Sequence, residues 1–127
     1  FRNLSDKIKK NMTIKQAGLY RIVYTSNMTD EDNKVINDGW IIAKQAIKND
    51  EYKLVILDEI NIAIDLGIID VDDVVNVLKA KPDNMEIVLT GRNAHPKIIE
   101  IAHLVSKIEP VKHYWDIGVS ARRGIEY

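Results

Sequence analysis

Apolar positions along the chain follow two different rhythms. Val35, Ile36, Trp40, Ile42, Ala43, Ala46 and Ile47 fall mostly on one helical stripe and predict a helix over residues 30–48. Thr29 stands where a side-chain cap is wanted, and Asp30, Glu31 and Asp32 occupy the first turn, where the helix dipole favours acids. Val71, Val74, Val75 and Leu78 repeat the i, i+3, i+4, i+7 pattern behind Asp70, predicting a second capped helix over 71–79, which Pro82 prevents from continuing. Between and after these lie unbroken apolar runs, "KLVILD" at 53–58 and "MEIVLT" at 85–90, of the kind expected for strands buried on both faces of a parallel sheet. A short helix over 60–66 is predicted to stop at Gly67, and Pro96 to open another over about 97–102. "MTIKQA" at 12–17 alternates and reads as a strand, residues 18–28 as a loop, and 104–113 as containing the last strand.

Strands alternating with helices at this spacing predict an α/β fold with a mostly parallel sheet, in which ligands gather at the carboxyl ends of the strands. Two such ends carry polar residues: Asp58–Glu59 and Thr90–Gly91–Arg92. An acid pair can hold magnesium through hard oxygen ligands, and an arginine can fork onto phosphate oxygens. Each motif has a plainer reading. An acid after a strand is often only a helix cap, and an arginine after a glycine turn is often only solvated. Asp72 and Asp73 read as a solvated helix start, His103 as a surface residue or satisfied packing, and Tyr114–Trp115 as packing.

Composition narrows the classes. The chain has 127 residues, one domain by size, with 18 basic and 19 acidic residues and a net charge of −1. That balance gives no electrostatic reason to expect nucleic acid or an anionic membrane as partner. The absence of cysteine excludes disulfides, zinc–thiolate sites and thiol catalysis. The chain begins at Phe1, which is expected to leave the natural N-terminus upstream. No G-x-x-x-x-G-K-[ST] motif occurs, and the six glycines are scattered singly, so no phosphate-cradling loop is found in these residues.

The motifs "GWIIAKQAI", "EYKLVILDEINIAIDLGIIDVDDVVNVLKAKPDNMEIVLTGRNAHPKIIEIAHLVSKI" and "PVKHYWDIGVSARRGIEY", with "RNL" at 2–4, resemble the ATP:corrinoid adenosyltransferases of the P-loop type, which act on cob(I)alamin and cob(I)yrinic acid a,c-diamide. The closing block is the most specific of these. The resemblance implies a RecA-like P-loop NTPase fold, N-terminally truncated here to its C-terminal two-thirds, so that 1–127 form a single domain. It implies a transferase that moves the 5′-deoxyadenosyl group of ATP to Co(I) in cobalamin biosynthesis or salvage. With it come ATP, Mg2+ and a corrinoid as ligands, an electron donor for cobalt, a cytoplasmic location and a homodimer.

By the same resemblance, Glu59, with Asp58 beside it, is the metal-side acid; from the strand-end placement, Thr90 and Arg92 are the candidates for the triphosphate. In "GLYRIVYTS" Leu19 stands at the phenylalanine-like position of the family's corrinoid-facing region and Arg21 near its tryptophan-like one, with Tyr20 and Tyr24 able to supply the aromatic function. This region departs from the family pattern and is longer. Without the P-loop segment, the fragment alone is expected to be inactive and to pair through exposed strand edges. The alternative reading is a P-loop-free homologue that binds a corrinoid or a partner without catalysis.

Overall fold

The computed structural model describes residues 10–21 and 23–125. The "RNL" motif and the last two residues of "GIEY" lie outside them.

The long helix α1 runs Asp30–Lys48, as its apolar stripe predicts, and it is closed at its start by a reciprocal capping box between Thr29 and Asp32. β1 (Leu54–Leu57) follows, then α2 (Ile60–Asp65), α3 (Val71–Lys79), β2 (Glu86–Leu89) and α4 (Pro96–Ile101), with a single 3₁₀ turn at Tyr114–Ile117. Gly67 has a left-handed φ of 70° just past α2, as the cap reading requires. Asp70 accepts a hydrogen bond from the Asp72 amide at 2.8 Å and caps α3. β1 and β2 pair in parallel through the α2–α3 crossover, in the register Leu54↔Glu86, Val55↔Ile87, Ile56↔Val88, Leu57↔Leu89.

The register sorts the two strands into faces. Val55, Leu57, Ile87 and Leu89 turn to the core, where Trp40, Ile60, Ile64, Ile69, Val74, Val75 and Ile98 are buried. Each such large aliphatic contributes roughly 1.5–3 kcal/mol relative to exposure. Leu54, Ile56 and Val88 lie on the opposite face and are 52%, 58% and 43% exposed. The expectation of strands buried on both faces is therefore corrected: one face is covered by helices and the other is open among the described residues.

Two predicted strands are not formed. Residues 12–17 form no strand; Ala17 lies against α1, and Tyr52, just ahead of β1, donates its hydroxyl proton to Thr13 Oγ1 at 3.0 Å. Residues 104–113 have no ladder either, with Leu104, Ile108 and Val111 almost fully exposed. Alternation supplies strand propensity, but a strand needs a neighbouring edge, and neither segment reaches one.

Gly39 explains how 12–17 lies so close to α1. A Cβ built there would sit 2.2 Å from the Ala17 Cβ, inside any real contact, so only a bare backbone lets the segment seat on the helix.

A second staple joins α1 to α3. Trp40 Nε1–H and Lys44 Nζ each donate to Asp73 Oδ2 at 2.7 Å. Asp73 is thus a tie between helices, which corrects its reading as part of a merely solvated helix start. Asp72 pairs with Lys97 across to α4. His103 is exposed, as expected. Trp115 is 66% exposed, so it does not pack as predicted, and Tyr114 lies against His113 and the Arg122 guanidinium.

Candidate functional site

The parallel register sets Leu57 beside Leu89, so the next residues, Asp58 and Thr90, leave the sheet side by side. Thr90 Oγ1 donates to Asp58 Oδ1 at 2.6 Å and accepts from the Glu59 amide at 2.9 Å. The Asn61 amide donates to the Thr90 carbonyl at 3.2 Å. One threonine hydroxyl therefore fixes both ends of the acid pair. The sequence brings Asp58, Glu59 and Thr90 together as predicted.

Glu59 occupies the N-cap position of α2 but makes no side-chain capping bond, and its backbone is left-handed at φ 61°. Capping residues ordinarily have extended backbone. A non-glycine residue in this region is strained by about 1–3 kcal/mol, and such strain concentrates where function requires it. The plain helix-cap reading of Glu59 is not what the geometry shows. Gly91, at φ 117°, lets the loop after β2 pass close: a Cβ there would lie 3.1 Å from Asn61 Cβ, and 3.3 Å from both Glu59 Cα and Glu59 Oε2. Asn93 holds the same loop to α2 by donating to Asp65 Oδ2 at 2.8 Å. Arg92, between them, is exposed and makes no hydrogen bond or ion pair with any described residue.

A cleft of 1070 Å³ opens between α1, the extended segment before it and β1. Asp58 and Glu59 stand in its wall with Leu19, Arg21, Trp40 and Ile56. Of the aromatic candidates, Tyr20 is 97% exposed and Tyr24 58%, and neither lines the cleft; Leu19 does. Thr90 and Arg92 stand at the same sheet edge but outside this wall.

Asp32, which the sequence reading treats only as one of three first-turn acids, is the partner of Arg21, which stands in the cleft wall. It is 1% exposed, and its Oδ2 accepts from the Thr29 amide at 2.8 Å, from Thr29 Oγ1 at 2.6 Å and from Arg21. Hydrogen bonds from Thr29 and the charge of Arg21 hold its carboxyl below the usual range, against the opposing effect of burial. The three-residue spacing from Thr29 is the signal that would have singled it out among the three acids of that turn.

Among the described residues no group of three or more His, Cys, Asp or Glu could enclose a metal ion. Asp58 and Glu59, adjacent at the strand end, nevertheless offer hard carboxylate oxygens in the same cleft wall. Magnesium takes one or two carboxylates and completes its shell with water and phosphate oxygens, so the donor set fits that mode of binding.

Relatives place these features in a family. The family model described as "ATP:corrinoid adenosyltransferase BtuR/CobO/CobP" matches residues 2–127. The chain is 45% identical over 86 residues to the uncharacterized protein all2391 of Nostoc sp. (strain PCC 7120), covering 68% of this chain and 23% of that one. It is 42% identical over 97 residues to a corrinoid adenosyltransferase of Sinorhizobium sp, covering 76% and 45%. Against the corrinoid adenosyltransferase of Escherichia coli K12 it is 33% identical over 98 residues, covering 77% and 50%. The chain thus spans half or less of the length of these relatives. The family match runs from one end of the sequence to the other and takes in the strand-end acids and the closing block alike: the chain belongs to the ATP:corrinoid adenosyltransferase family.

Proposed function

We propose that this chain carries the metal-side acids and the corrinoid-facing loop of an enzyme that transfers the 5′-deoxyadenosyl group of ATP to cobalt. The observation that carries this reading is the Asp58–Thr90–Glu59 node, fixed at the ends of two parallel strands, whose two acids stand in the same cleft wall as Leu19. Co(I) is the nucleophile: its electron pair forms a bond to C5′ of ATP, the C5′–O bond breaks, and triphosphate leaves with the electron pair of the broken bond. No protein base is needed at the reacting carbon. The protein's tasks are to orient the two substrates, stabilise the leaving charge and control the corrinoid's lower ligand.

Asp58 and Glu59 would hold Mg2+, which neutralises charge on the triphosphate. Arg92 is free to meet phosphate oxygens, and Thr90 keeps the acid pair in place. Leu19, with Tyr20 and Tyr24 close in sequence, belongs to the corrinoid side. The reading includes a RecA-like P-loop NTPase fold. It also includes a cytoplasmic, homodimeric enzyme of cobalamin biosynthesis or salvage, supplied with electrons by a reductant. No helix among the described residues is long and apolar enough to cross a membrane.

The test is the full-length protein incubated with ATP, magnesium and chemically reduced cob(I)alamin, followed by the absorbance of adenosylcobalamin. Product should form, and Glu59→Gln should lower the rate by about 10²-fold or more, the scale of removing one preorganised charge-stabilising group. Near-normal turnover by Glu59→Gln would end the assignment of this acid.

A further inference from the structure

The loop that carries Leu19 and Tyr24 has no strand or helix to hold it. It is held by one buried charge. Arg21 turns back on itself, its amide donating to the Leu19 carbonyl at 2.8 Å. Its guanidinium reaches the Asn27 carbonyl with Nη1 at 3.1 Å and Nη2 at 3.2 Å, and Nη2 also meets Asp32 Oδ2. Asn27 closes the far side: its Oδ1 accepts from the Tyr24 amide at 2.7 Å, and its own amide donates to the Tyr24 carbonyl at 3.0 Å.

A capping box needs only Thr29 and Asp32. The guanidinium, eleven residues before Asp32, gives that cap its charged partner and lies 3.5 Å from Thr29 Oγ1. It also gives the loop a fixed path. A planar fork with five donors serves a carboxylate and a carbonyl together in a fixed geometry, more rigidly than a flexible ammonium does. Asp32 itself is the one acid among the described residues whose side chain is wholly withdrawn from solvent, and its Oδ1 has no hydrogen-bond partner among them. A carboxylate buried on those terms is costly without a charged partner, so the pair locks in one geometry. The lock sits next to the cleft that Asp58 and Glu59 share with Leu19 and Arg21.

We propose that Arg21 and Asp32 are positioning residues for the corrinoid: the ion pair ties the loop before α1 to the start of that helix, so that Leu19 keeps its place in the cleft wall facing the substrate. This rests on the adenosyltransferase reading. Neither residue touches the acids that would serve ATP, so the effect should fall on one substrate alone.

The experiment compares the full-length protein with Arg21→Ala, Asp32→Asn and the double variant. KM for cob(I)alamin and for ATP are measured separately, together with thermal melting by circular dichroism. Each single variant should raise KM for the corrinoid about tenfold or more, within the range expected when a contact surface is misplaced by about an ångström. KM for ATP should stay within about twofold. The double variant should be no worse than the worse single one, because both remove the same tie. A merely structural role would move both KM values together, or lower the melting point without splitting them, and would overturn the proposal. An active parent whose variants keep the parental corrinoid KM would also overturn it and leave the function standing. A parent that makes no adenosylcobalamin would overturn the function first, and this inference with it.

Discussion

Replacing Gly91 with alanine tests whether the strand-end loop depends on a bare backbone. At φ 117° an L side chain is strained whatever the space around it, by roughly 1–2 kcal/mol for a positive φ. The added methyl also meets Asn61 Cβ at 3.1 Å and Glu59 Cα at 3.3 Å. Neither neighbour yields easily: Asn61 is 5% exposed, and Glu59 is already left-handed. Only Glu59 Oε2, at 3.3 Å, belongs to a side chain free to swing away. Overpacking of this kind costs about 1–3 kcal/mol. Backbone relaxation relieves part of both effects, so a total of about 2–4 kcal/mol is expected. Gly67 is the control. Its φ is 70° with open space around it, so Gly67→Ala should carry the backbone part alone, about 1–2 kcal/mol. Urea unfolding of the full-length protein at constant m-value gives both numbers. If Gly91→Ala is no more destabilising than Gly67→Ala, the close approach of the loop to Glu59 is not a constraint, and the argument fails.

Glu59→Gly should raise stability by roughly 0.5–1 kcal/mol, the left-handed strain relieved less glycine's greater entropy loss, while abolishing adenosyl transfer; a stability loss in the same urea assay would show that the strain is not there. The carboxyl of Asp73 is held below its ordinary value of 3.8, first by the Lys44 hydrogen bond and then by that of Trp40. A lowered folded value means stability present above 3.8 and lost as pH falls through the folded value, so Asp73→Asn should flatten the acid limb of a stability profile. Parallel limbs for parent and variant would refute the Asp73 tie.

Local signals were legible in the sequence. Thr29 and Asp70 announced their helices because a cap and its stripe sit within a few residues of each other. The acid pair was found because a parallel strand end is a place, not a partner. The failures are non-local. Asp73 looked solvated because its indole partner lies thirty-three positions earlier. Residues 12–17 and 104–113 have strand-like alternation, but pairing depends on an edge that no local pattern specifies. Leu54 and Ile56 looked buried because a continuous apolar run says nothing about which face a neighbour covers.

The seat of Ala17 on Gly39 has a consequence for how this sequence can change. Glycine inside a nineteen-residue helix forgoes about 1 kcal/mol relative to alanine. Drift should therefore favour Gly39→Ala, yet the new methyl has nowhere to go while Ala17 keeps its own. The order of substitution decides the outcome. Ala17→Gly first removes the 2.2 Å clash and leaves a tight 3.1 Å approach to the residue-17 Cα, which a small shift can relieve; the reverse order passes through a chain whose segment has been pushed off α1. The two positions form an epistatic pair, separated by twenty-two residues of sequence and joined by a single missing carbon.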